Sequence, residues 1–292
     1  MLQELVEQVL TTEKFEPKIK NDEVGYFDRQ EKIFIPKRSI PMLVKEIESH
    51  PASVLGSDRL NEYYALCQIR TKRAVSKKYQ KQHKSPYKAI MFRYLSTEFL
   101  KKFANSEINF ASLYIDLVGS TLLSMKLPSE KLSVLIDIFT QEMSSLVSIN
   151  KGYVLKYVGD AVIAFFPETN GAEQMCQNAL RCATDMKQMV TDGINSALEG
   201  EGFDPLSIRV GIESGKNKIM VVGGTVDIIG KTMNIAAKVT GMAKQNGIAI
   251  GQDCYANLDQ ETKQKFSQMH LDSDWKYKDD SNNSYQVFEF NA

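Results

Sequence analysis

Residues 110–121, FASLYIDLVGST, and residues 151–167, KGYVLKYVGDAVIAFFP, each run an apolar strand into a carboxylate. In the first, Leu113, Tyr114 and Ile115 lead to Asp116, and Gly119-Ser120-Thr121 turns the chain toward a helix. In the second, Gly159-Asp160 separates Tyr153–Val158 from Ala161–Phe166, a two-residue turn signal that predicts a β-hairpin with Asp160 at its tip. Two hard oxygen donors held on strands suit magnesium, which takes one or two carboxylates and shares the rest of its shell with water and phosphate. Spacing alone reads equally well as a turn residue and a hairpin former, since Gly-Asp turns are common.

Outward from this pair, Pro128-Ser129 opens a helix whose Leu132, Leu135, Ile136, Phe139, Met143, Leu146 and Val147 form one apolar stripe, ending at Asn150-Lys151-Gly152. A second helix is predicted over Gly171–Ile194, with Met175, Ala179, Leu180, Ala183, Met186, Met189 and Val190 inward. Ser207–Glu213 alternates as a strand, with Lys218–Gly223 expected as its antiparallel neighbour, and Lys231–Lys244 predicts a helix. Ile248–Ile250 reads as a strand, Gln252–Phe266 as mainly helical, and Tyr285–Phe290 as a closing strand. The order is α+β, a sheet with helices mostly on one face.

Toward the N-terminus the expected elements are helices over 2–12, after Pro41 and over about 58–82, and a hairpin within 24–36. An amphipathic helix over 87–103 carries Ile90, Met91, Tyr94, Leu95, Phe99 and Phe103 and is expected to join two modules, with the boundary at Asn105-Ser106-Glu107. Residues 1–105, read as mostly helical, hold 20 Lys+Arg against 13 Asp+Glu, although the whole chain is balanced at 36 of each. No acidic residue falls between Tyr63 and Thr97, while Arg70, Lys72, Arg73, Lys77, Lys78, Lys81, Lys84, Lys88 and Arg93 are basic. Residues 70–88 are a candidate contact for a polyanion or an acidic partner; a solvated helix face, or contact with the acidic C-terminal module, accounts for them more simply.

At 43% hydrophobic and 25% charged residues the composition is that of a globular protein rather than a disordered or membrane-embedded one. MLQELVEQVL lacks a basic segment of the signal-peptide type, and no run approaches the ~18 apolar residues of a membrane span, so a cytoplasmic location is expected. Cys67, Cys176, Cys182 and Cys254 show no CxxC spacing, which predicts reduced thiols rather than a disulfide framework or zinc site.

YIDLVGST, KYVGDAVIAFF, IRVGIESG, VDIIGKTMNIAAK and WKYKD arrive in an order that resembles the class III nucleotide cyclases, over about residues 107–290. The resemblance implies a ferredoxin-like βαββαβ core at 106–292 that converts a nucleoside triphosphate to its 3′,5′-cyclic monophosphate and pyrophosphate. It places two divalent ions, Mg²⁺ or Mn²⁺, on Asp116, Asp160 and the backbone of Ile115, and base reading on Lys156 and Asp227. A lysine donor with an aspartate acceptor matches adenine, so ATP is the expected substrate and the pair is read as arguing against other bases. Asn234 and Lys238, four apart on one helix face, fall where the family orients the ribose and steadies the α-phosphate. The family residue at the second position is arginine, so lysine keeps the charge and loses the forked donor. Lys276 falls at the triphosphate-binding lysine, with Lys278 the alternative register. Only Gly224, Thr225 and Val226 lie between Gly223 and Asp227, shorter than the dimer-spanning arm of many relatives.

In the family, metal and base-reading residues of one site come from two domains; both sets here lie in one, which implies a homodimer with two composite sites. Asp160 and Lys156, neighbours on one hairpin, would then serve opposite sites. Competing readings are a cyclase for guanine or a pyrimidine, and a catalytically weak nucleotide-binding signalling module. A GGDEF-type diguanylate cyclase is disfavoured, because the hairpin reads Val158-Gly159-Asp160-Ala161.

Overall fold

A computed structural model describes residues 15–20, 22–29, 33–39, 60–75, 86–223, 225–271 and 275–291. Two sheets are present among these residues. The small one is antiparallel, β1 (Phe15–Lys20), β2 (Glu23–Asp28) and β3 (Ile33–Pro36) in that order, and its β2–β3 pairing is the hairpin expected within 24–36. The predicted helices over 2–12 and after Pro41 lie outside the described residues. The described part of the first 105 residues thus holds a three-stranded sheet as well as helices, and β1 adds a strand where no apolar alternation marks one: its pattern is Phe15 buried and Lys18, Ile19 and Lys20 exposed.

Helices α1 (Leu60–Val75) and α2 (Pro86–Lys101) follow, and both enter the main core. Tyr63, Tyr64, Cys67, Ala74, Val75 and Leu100 are buried in the same cluster as the large sheet. Arg70 forks onto Glu142, Nε to Oε1 at 2.9 Å and Nη2 to Oε2 at 2.8 Å, and Tyr63 donates its hydroxyl to Oε2 at 2.8 Å. Arg70 is thus committed to an internal carboxylate, which removes it from the expected polyanion-binding run; residues 76–85 of that run lie outside the described ones.

The large sheet is built from β4 (Glu107–Leu117), β5 (Tyr153–Val158), β6 (Ala161–Pro167), β7 (Ile208–Val222), β8 (Thr225–Ile229), β9 (Gly247–Gly251), β10 (Phe266–Gln268) and β11 (Val287–Phe290). Its order is β10-β11-β9-β7-β4-β6-β5, with β8 paired to the far end of β7. Among the described strands only β7 and β9 pair in parallel, and the intervening β8 and α6 (Lys231–Met242) supply the crossover that such a pair needs. β7 corrects the sequence reading: instead of two antiparallel strands, Ser207–Glu213 and Lys218–Gly223, one strand of 15 residues runs through, and its antiparallel neighbours are β4 and β8. Gly215, at φ +153°, stays in register with Phe110 of β4, so the strand continues through the residues left between the two expected strands.

α4 (Ser129–Ile149) begins at the expected Pro128-Ser129, after the short α3 (Ser120–Lys126). It buries Val134 and Ile138 along with Leu135, Phe139, Met143, Leu146 and Val147, whereas Leu132 and Ile136 are only half-buried, so the inward face is rotated from the predicted stripe. Among the described residues α4 alone is long and apolar enough to cross a membrane, and its apolar face is occupied by the core. α5 (Ala172–Gln188) buries every residue predicted inward up to Met186, and Met189 and Val190 follow within a π-helical segment, Met189–Asn195. There Gly193 leaves room for Cys67 of α1, whose sulfur would lie 3.2 Å from an added Cβ. All four cysteines are buried and unpaired, as expected.

Candidate active site

The pairing of β4 with β6 brings the two opening carboxylates together. Ile115 pairs with Val162 and Val158 with Ala161, which sets the β5–β6 turn beside the end of β4. Gly159, at φ +62°, supplies the left-handed residue of that turn. The carboxyl of Asp116 is pushed above its usual range first by burial and next by the charge of Asp160, which lies within hydrogen-bonding reach. Oδ2 of Asp160 is buried without a hydrogen-bond partner. Two crowded carboxylates and an orphaned oxygen fit a divalent cation, which would relieve both the repulsion and the unmet acceptor. The Ile115 side chain is fully buried, so only its backbone is available to such an ion.

Arg209 was not singled out from the sequence. It pairs with Asp116 across β4 and β7, and Nη2 lies 3.3 Å from Asp116 Oδ2. Nη1 reaches the Gly241 carbonyl at 3.4 Å and Nε is buried without a partner. IRVGIESG contained the signal, but strand register was needed to set its arginine next to Asp116.

Lys156 and Asp227, 71 residues apart, meet: Nζ lies 2.9 Å from Oδ2 and 3.2 Å from Oδ1. A register shift between Val154 and Lys156 accompanies the contact on β5, and β8 folds back along β7 to present Asp227. Tyr114 stands near the pair, its hydroxyl pushed up to about 12 by burial and by the charge of Asp227.

Asn234 and Lys238 are both exposed on α6, while Thr232, Met233, Ile235, Ala236, Val239 and Thr240 face the core. Lys276 and Lys278 are exposed on the segment before β11, where Lys278 bridges to Ser284. Among the described residues no hydrogen bond or ion pair joins Asn234, Lys238 or Lys276 to Asp116 or Asp160. One chain therefore assembles a carboxylate cluster and a Lys–Asp pair, and carries the remaining predicted groups on open surface.

Residues 104–284 match the family model described as the adenylate and guanylate cyclase catalytic domain. The chain belongs to this cyclase family. Relatives include a cytidylate cyclase of Staphylococcus aureus, 26% identical over 51% of this chain and 37% of its own length. An adenylate cyclase of Anabaena cylindrica is 27% identical over 60% of this chain and 36% of its own. The chain thus spans little more than a third of these curated relatives. Among solved structures, the adenylyl cyclase CyaB of P. aeruginosa superposes with a TM-score of 0.55 at 23% identity, over 63% of this chain and 94% of that one. The guanylyl cyclase Cya2 gives 0.56 at 16%, over 64% and 93%. These superpositions establish the cyclase fold, an α+β mixed sheet with helices.

Proposed function

We propose that the chain is an adenylate cyclase that converts ATP to 3′,5′-cyclic AMP and pyrophosphate, as a cytoplasmic homodimer in cellular signalling. The observation that narrows the substrate to a base with a ring acceptor beside an amino donor is the Lys156–Asp227 pair, a donor and an acceptor held together at 2.9 Å. Adenine offers a ring acceptor at N1 beside a donor amino group; guanine and uracil place a carbonyl where that amino group would be and are mismatched.

Asp116, Asp160 and the Ile115 backbone would hold two divalent ions, Mg²⁺ or Mn²⁺. Bound there, the ions supply a lowered pKa for the ribose 3′-hydroxyl and neutralise charge on the triphosphate. The 3′-hydroxyl gives up its proton to water, its oxygen forms the new bond to the α-phosphorus as the bond from that phosphorus to the α–β bridging oxygen breaks, and pyrophosphate leaves. Asn234 orients the ribose, and Lys238 holds positive charge at the α-phosphate as negative charge develops. Lys276 grips the triphosphate, and Arg209, beside Asp116, adds a second cation on the carboxylate side. Asn234 and Lys238, exposed and without a bond to Asp116 or Asp160 among the described residues, would serve the partner's site. The exposed apolar side chains of Val221, Val222 and Ile229 on the β7–β8 arm support burial against a second copy.

A second reading, cyclic CMP synthesis, is favoured by the relatives named cytidylate cyclase. Cytosine presents N3 and its 4-amino group in the same acceptor–donor order as adenine, so Lys156 and Asp227 disfavour uracil and guanine but not cytosine. Purified protein with Mn²⁺ and each of the four nucleoside triphosphates tests both readings. Cyclic AMP as the dominant product, absent in Asp160→Ala, is expected; cyclic CMP as the dominant product would replace the first reading with the second.

A further inference from the structure

Glu213 lies in the middle of β7, opposite Ser112 of β4, with no exposed surface. A buried carboxyl is costly unless its lone pairs are met, and here three donors converge on it. Oε1 accepts from the backbone N–H of Ser214 at 2.6 Å and of Cys254 at 2.8 Å, and Oε2 accepts from the Tyr285 hydroxyl at 2.6 Å. The end of β9 is shaped to admit the carboxyl: a Cβ on Gly251 would lie 1.6 Å from Oε2.

Tyr285 is also fully buried, and it holds both neighbours of Lys276. Its carbonyl accepts from the indole N–H of Trp275 at 2.8 Å, and its backbone N–H donates to the Tyr277 carbonyl at 2.9 Å. Lys276 itself stays exposed between two anchored aromatic residues. A second tie reaches the same segment from α6, where Lys231 lies 3.4 Å from Asp280 and 3.8 Å from Asp253. The lysine at the tip is thus held, through one tyrosine, to a carboxyl at the centre of the sheet.

We propose that Glu213 is a positioning residue for triphosphate binding, fixing Lys276 through the hydroxyl of Tyr285. The inference rests on the reading of Lys276 as a triphosphate contact. A flexible lysine presents its charge in many directions; a segment pinned on both sides of it narrows that spread and lowers the ordering cost of binding.

The test is a double-variant cycle on the full chain with Tyr285→Phe and Lys276→Ala, read as KM and kcat for the nucleotide and as affinity for inorganic triphosphate. Tyr285→Phe keeps the buried ring and removes the hydroxyl that donates to Glu213 and accepts from the Asp253 backbone N–H at 3.1 Å. It is expected to weaken KM and triphosphate affinity about fivefold with kcat within about twofold, and to add nothing to Lys276→Ala, because the two act as one unit. Glu213→Gln is expected to give the same pattern. Unchanged affinity in Tyr285→Phe, a full additional loss on top of Lys276→Ala, no effect of Lys276→Ala, or a fall in kcat alone would overturn the proposal. Triphosphate binding needs no turnover, so if no nucleotide is cyclised while the cycle behaves as expected, the proposed function fails and the tether stands.

Discussion

At the residue scale, the candidate metal ligands are side chains whose surroundings do not satisfy them. Asp160 has a buried oxygen without a partner beside a carboxyl that burial and Asp160 itself keep above its usual range. Asp160→Asn removes the repulsion, so the metal-free protein is expected to melt at least as high as the original, while the rise in Tm caused by Mn²⁺ and the cyclase activity are lost; differential scanning fluorimetry with and without Mn²⁺ checks this. If Lys238 faces the α-phosphate as proposed, Lys238→Arg would supply a planar forked donor there, and kcat is expected to rise severalfold with KM little changed, measured by product formation. Glu213 gives a pH signature. Burial raises its carboxyl from 4.5 to about 8 against the three donated bonds, with Asp253 adding to the rise and Cys254 and Tyr285 also facing it. A folded-state value above the unfolded one means that the stability contribution is complete below pH 4.5 and is lost as pH climbs toward about 8. Urea unfolding across that window is expected to show stability falling with pH, and Glu213→Gln to flatten the slope.

At the element scale, the candidate residues lie on β4, the β5–β6 hairpin, the continuous β7, β8 and helix α6, and α1 braces α4. Arg70→Ala would strip Glu142, side chain 8% exposed, of its forked partner and leave a buried carboxylate with one tyrosine hydroxyl. A loss of about 2–3 kcal/mol is expected in urea titration, since the arginine side is partly in solvent. The hairpin was legible in the sequence because Gly159-Asp160 between apolar runs is local turn chemistry, and α4 and α5 because their apolar periods are long. The β7 strand was not: Gly215 looks like a terminator until its register with Phe110 is known. Arg209 and Glu213 escaped for the same reason. Arg209 gains its meaning from Asp116, 93 residues away, and Glu213 from Tyr285, 72 residues away, and neither partner is announced by spacing. Lys156 and Asp227 were named by family likeness alone, and their direct contact adds a physical reason to treat them as a pair.

At the scale of the whole molecule, the proposed homodimer would divide each site between two copies, with Asp116 and Asp160 serving one site and Lys156, Asp227, Asn234 and Lys238 the other. Two defects placed in different halves should therefore complement. Asp160→Ala and Lys238→Ala chains, each inactive alone, are mixed in equal amounts under conditions that exchange subunits, and cyclic nucleotide formation is measured. Half the dimers are then mixed and each mixed dimer has one intact site, so activity is expected to return to about a quarter of the original. A mixture that stays inactive although subunit exchange is demonstrated would contradict the composite site.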